Sequence, residues 1–108
     1  MKFGLKPETI ARINGVLAAH PDIEQAVLYG SRAKGDYRAG SDIDLCLKGD
    51  ALSLTQLLKI ENELDDLLLP YKIDLSVLHA LDNPDLVEHI KRVGVVFYTS
   101  HRSSSAKD

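Results

Sequence analysis

With 108 residues, 44% of them hydrophobic and 27% charged, the chain has the make-up of one soluble globular domain with a single core. A formal charge of −3 excludes a strongly basic surface, so attraction to a phosphate backbone is not its general binding mode and no direct nucleic-acid contact is expected. No apolar run approaches the roughly 20 residues of a membrane span, the start Met1-Lys2-Phe3-Gly4-Leu5 lacks a signal-peptide core, and the single Cys46 excludes an intrachain disulfide or thiolate zinc cluster. A cytoplasmic location is the resulting expectation.

Pro7 and Glu8 suit a first helical turn, and Ile10, Ile13, Val16 and Leu17 recur at helical spacing until His20-Pro21-Asp22 ends the helix. Ile23 to Tyr29 predicts a buried strand stopping at Gly30-Ser31. Asp42 to Lys48 alternates acid and aliphatic residues with the period of a second strand. Ser53 can cap a helix running to about Leu69, with Leu54, Leu57, Leu58, Leu64, Leu67 and Leu68 as its apolar face and Pro70 as its stop. Lys72 to Leu78 alternates again. Asp82 or Asn83 before Pro84 announces another helix that Gly94 ends, and Val95 to Tyr98 predicts a last strand. This order predicts an α+β domain over residues 1–98, a small mixed sheet with helices mainly on one face, and a frayed, disordered tail over residues 99–108.

The most informative stretch runs from Gly30 to Leu45, where Gly30-Ser31 is followed after ten residues by Asp42-Ile43-Asp44. Gly30 permits a sharp turn and lets a triphosphate approach the backbone, and a helical turn after Ser31 would offer its free amides to phosphate oxygens. Two acids two apart on a strand point to one face with α carbons roughly 6.5–7 Å apart, a spacing that can straddle a metal pair. Asp74 sits among aliphatic residues in the same manner on a later strand and is the third carboxylate. Three adjacent acids resist ionising together, so the set is best read with a divalent cation, and oxygen donors suit magnesium. Asp-x-Asp alone reads better as a solvated strand face; its coincidence with Gly-Ser and Asp74 favours catalysis.

This pattern resembles the signature of the polymerase beta type nucleotidyltransferases, and Arg32, Gly35, Asp36, Arg38 and Ser41 make it similar to their small minimal nucleotidyltransferase branch. The resemblance spans about Leu5 to Tyr98. It implies a triphosphate held at Gly30 and Ser31, two magnesium ions on Asp42, Asp44 and Asp74, ATP as substrate, and Asp74 assisting the acceptor. It further implies an antitoxin that adds AMP to a tyrosine of a helical ribonuclease toxin of the HEPN type.

Arg32, Lys34 and Arg38 are read as phosphate ligands or as exposed loop charges; Arg32 and Arg38 join the candidate nucleotide site. Asp36 and Ser41 are better read as braces of the loop. His20, His79, His89 and His101 show no ligand spacing and read as surface or boundary residues, and part of Leu67-Leu68-Leu69 is open to a partner subunit. Two rival functions stand beside the enzyme: an antitoxin that neutralises by binding alone, and a small-molecule transferase of the aminoglycoside type. The latter fits poorly, because 108 residues leave no second domain to cover the acceptor. Smallness predicts a partner, in a hetero-oligomer or a homodimer.

Overall fold

In the computed structural model, which describes residues 1–100, helix α1 spans Pro7–Ala18 and opens on Pro7, where a missing amide donor costs nothing. Strand β1 (Gln25–Tyr29) leads through Gly30 into a single helical turn, α2 (Ser31–Lys34). Strand β2 (Ile43–Lys48) is followed by helix α3 (Leu54–Asp65). Ser53 and Gln56 exchange side-chain and backbone hydrogen bonds at the start of α3, the reciprocal cap that satisfies two otherwise orphaned amides. Strand β3 (Ile73–Val77), a 3-10 turn (Leu78–Ala80), helix α4 (Pro84–Val93) and strand β4 (Val95–Thr99) complete the order. Between the two candidate caps of α4 the chain uses Asn83, whose Oδ1 accepts from the amides of Asp85 and Leu86.

The strands lie in the order β3-β2-β1-β4. β1 is antiparallel to β2 and β4, while β2 and β3 are parallel, joined by the crossover through α3. The mixed sheet of an α+β fold is therefore as expected. Alternation along the strands sends Ala26, Leu28, Ile43, Leu45, Leu47, Leu75 and Val77 to one face, where Ile13 and Leu17 of α1 and Ile60 and Leu64 of α3 cover them. The opposite face carries Val27 and Cys46 against Ile90 of α4, with Tyr29, Leu78, Leu81 and Leu86 around them. Among the described residues, two of the three long helices thus share a face, and α4 alone packs on the other.

Three expectations are corrected. Helix α3 stops at Asp65, not Leu69: its last turn has no basic residue, and Asp65 and Asp66 meet the negative end of the helix dipole. Leu68 then turns at φ 54° and stands 87% exposed, and Leu54 and Leu58 are also exposed, so the core side of α3 is narrower than its leucines suggest. His20, expected as a surface or boundary residue, is buried, with Nε2 2.7 Å from Glu63 Oε1, and ties the end of α1 to α3. Finally, β4 continues to Thr99, opposite Gln25, and the Ser100 amide donates to Glu24 O, so the fold passes the expected boundary at residue 98. The rest of the expected tail, with His101, lies outside the described residues.

Candidate active site

Register places the acids. Asp44 on β2 is the partner of Asp74 on parallel β3, and Tyr29 on β1 is the partner of Asp44 from the other side. Alternation turns Tyr29, Asp44 and Asp74 to the α4 face, together with Cys46 and Ser76 deeper along the strands. Asp42 lies one residue before β2 begins and is exposed; two positions from Asp44, it keeps to the same side of the chain. Burial, then the charge of Asp74, then that of Asp42, push the Asp44 carboxyl above its ordinary value, while His89 acts in the opposite direction. The three expected acids therefore share one electrostatic neighbourhood.

Gly30 stands against that cluster. Its backbone, at φ 76° and ψ −154°, lies where only glycine is at ease, and a Cβ there would overlap Asp44 Oδ2. α2 begins at once: Lys34 N donates to Gly30 O at 3.1 Å and Gly35 N to Ser31 O at 2.9 Å. The amides of Ser31, Arg32 and Ala33 precede the first of these bonds and make none within the turn. Ser31 is half-buried beside Gly30, at the start of α2.

Arg32 is elsewhere. It is 2% exposed, and its guanidinium donates to Phe3 O (2.8 Å), Ala39 O (3.2 Å) and Ser41 O (2.9 and 3.1 Å). Its charge also lies over the rings of Tyr37 and Tyr71, at 5.2 and 4.9 Å from their centroids. A side chain so engaged has no surface left for a triphosphate; it clamps the loop that carries Ser41 and delivers Asp42. Phe3 presents its carbonyl from a tight turn, with Lys2 and Leu5 exchanging backbone hydrogen bonds. Arg38 is exposed on the same loop, and its amide donates to Ser41 Oγ at 2.8 Å, which gives Ser41 the bracing position expected of it. Lys34 and Asp36 form an exposed ion pair at 3.7 Å.

Two neighbours of the acids were not read as part of the site from the sequence: Tyr29, and His89, which reads there as a surface or boundary histidine. Tyr29 is half-buried, and burial raises its pKa. His89 of α4 meets the Tyr29 ring edge-on, with centroids 6.1 Å apart and planes at 83°. The usable signal was Leu86, His89 and Ile90 at helical spacing, a polar residue among apolar ones on one helix face.

Among the described residues no group of three or more His, Cys, Asp or Glu side chains is placed so that it could hold a metal ion. The donors nevertheless fit magnesium chemically. All are hard carboxylate oxygens, the charge on Asp44 is opposed by its neighbours, and magnesium needs only one or two carboxylates beside water and phosphate.

The sequence profile of the family described as "Polymerase beta, Nucleotidyltransferase" matches residues 11–103. No curated protein matches the chain in sequence. Among solved structures, a toxin-antitoxin crystallised with AMP-PNP superposes with a TM-score of 0.69 at 20% identity, over 90% of this chain and 78% of that one. The toxin-antitoxin MntA-HepT superposes at 0.65 with 17% identity, over 94% and 79% of the two chains. A tri-AMPylated Shewanella oneidensis HEPN toxin in complex with its MNT antitoxin gives 0.66 at 17% identity, again over 94% and 79%. At these identities the likeness is one of fold, and the profile carries the assignment: by fold, by motif and by a match over most of its length, this chain belongs to the polymerase beta nucleotidyltransferase family.

Proposed function

We propose that the chain moves AMP from ATP to a hydroxyl acceptor, and that the acceptor is a tyrosine on a helical HEPN-type toxin that it silences. The observation that carries the catalytic part is Asp44 set beside Asp74 by strand register and against Gly30 by close approach. Solved complexes of similar fold hold AMP-PNP in one case and a tri-AMPylated HEPN toxin in another, which supports both the nucleotide and the partner.

In this reading Gly30, Ser31 and the first amides of α2 receive the triphosphate, and exposed Arg38 reaches its outer phosphates. Arg32, with its donors already engaged, holds the loop and leaves the phosphates to the backbone. Asp42, Asp44 and Asp74 would hold magnesium, which when bound neutralises charge on the phosphates and the attacking oxygen. The acceptor oxygen attacks the α-phosphorus in line; the bond to the bridging oxygen breaks, pyrophosphate leaves, and the acceptor proton passes to Asp74. Positioning and charge neutralisation supply the catalysis, since the protein forms no covalent bond.

Incubation with α-labelled ATP, magnesium and a co-expressed helical partner tests the reading, with intact mass recording AMP on the partner. Label lost with Asp42→Asn and Asp44→Asn is the expected result. Neutralisation that survives both substitutions without any label would instead make binding the function.

A further inference from the structure

Among the described residues, α4 is the only long helix on the sheet face that carries the acids. Its packing side is built from Leu86, His89 and Ile90, of which Leu86 and Ile90 meet the apolar cluster around Val27 and Cys46. His89 breaks that apolar side with an imidazole that is only half-buried and rests edge-on against Tyr29, the strand partner of Asp44. The α2 turn, which follows β1, occupies the phosphate side of the site, and Asp74 on β3 lies across Asp44 from β1. In the nucleotidyl-transfer reading the acceptor approaches over this face, with α4 and His89 beside the strand that neighbours Asp44.

We propose that His89 is the acceptor-contacting residue of α4: its ring nitrogen hydrogen-bonds the attacking hydroxyl and aims it at the α-phosphorus. The inference rests on the nucleotidyl-transfer reading above. The acceptor oxygen gains the bond to phosphorus, the α–β bridging bond breaks, pyrophosphate carries away that electron pair, and Asp74 takes the acceptor proton. His89 orients the hydroxyl and exchanges no proton in this step. Its edge-on contact with the half-buried Tyr29 ring holds the imidazole in place.

The alternative is that His89 is only a packing group, and three variants separate the two. His89→Phe keeps a ring against Tyr29 but has no hydrogen-bonding atom; His89→Gln keeps such an atom but no ring; His89→Ala keeps neither. AMP transfer to the co-expressed helical partner is measured against partner concentration, and AMP-PNP affinity by calorimetry with magnesium. The expected result is a loss of kcat/KM for the partner of about tenfold in both His89→Phe and His89→Ala, the worth of one neutral hydrogen bond. His89→Gln recovers part of it, and AMP-PNP affinity stays unchanged in all three. Wild-type transfer by His89→Phe, or a parallel loss of AMP-PNP affinity, overturns the assignment while the enzyme reading stands. If the unaltered protein transfers no AMP to the partner, the enzyme reading fails and this inference falls with it.

Discussion

Adding one methyl group at Gly30 should damage the fold and the site together. The residue sits at φ 76° and ψ −154°, a region costing any other residue about 1–3 kcal/mol. Each kcal/mol lowers the melting temperature of a domain this size by about 4–8 °C, so Gly30→Ala should melt roughly 5–20 °C lower. Because the new Cβ overlaps Asp44 Oδ2, the carboxylate must also swing away, and a displacement of about 1 Å at a reacting centre costs on the order of a hundredfold in rate. Gly35 provides the control. It too has positive φ, at 87°, but a Cβ there meets nothing within 4 Å, so Gly35→Ala carries only the left-handed strain of about 1–2 kcal/mol. Thermal unfolding and AMP transfer below the melting range separate the two effects. The expected result is a loss of stability in both variants and a loss of transfer in Gly30→Ala alone. Full transfer by Gly30→Ala, or an equal loss in Gly35→Ala, would refute the reasoning.

Arg32→Met strips donors from Phe3 O, Ala39 O and Ser41 O. Phe3 and Ser41 are half-buried and Ala39 is exposed, so water replaces part of what is lost; at about 1 kcal/mol for each hydrogen bond, chemical denaturation should find the variant less stable by about 2–4 kcal/mol. Arg32→Lys, which keeps the charge but not the planar fork, should fall between it and wild type. For Asp44 the folded carboxyl is raised above its unfolded value, so the native state binds this proton more tightly than the unfolded chain does. Its stabilising contribution is complete below the unfolded pKa and is lost as pH rises through the folded one. In chelator at neutral pH, Asp44→Asn should therefore melt above wild type, with the gap closing in mild acid; a lower melting point for the variant would contradict the repulsion argument. Cys46 is fully buried, and burial pushes its thiol up, so iodoacetamide should leave the native protein unmodified and add one adduct only in denaturant, as mass spectrometry would record.

Elements whose signals are local were legible in the sequence. Pro7, the Ser53 cap and the acid-aliphatic alternation around Asp44 and Asp74 each act within a few residues, and the structure has the helices and strands they announce. Asp44 and Asp74 were paired on chemical grounds, and parallel register brings them side by side. Long-range facts were hidden. Nothing around Arg32 shows that the carbonyl of Phe3, 29 positions earlier, will accept a hydrogen bond from it, or that Tyr71 will lie under its charge. His20 was misread because its partner, Glu63, arrives from a different helix. The leucines after Ile60 suggested a longer helix because apolar spacing was weighed without the paired acids Asp65 and Asp66 at its end. The position of α4 also had no signal, since one amphipathic helix suits either face of a sheet.

Transfer of α-labelled AMP to the helical partner, followed by intact mass in the wild-type protein and in Asp42→Asn and Asp44→Asn variants that remain folded, tests the central claim most directly. The account predicts one or more AMP units on the partner with wild-type protein and none with either variant. Labelling that persists in both folded variants would contradict it, because the chemistry would then lie outside the acids that strand register gathers.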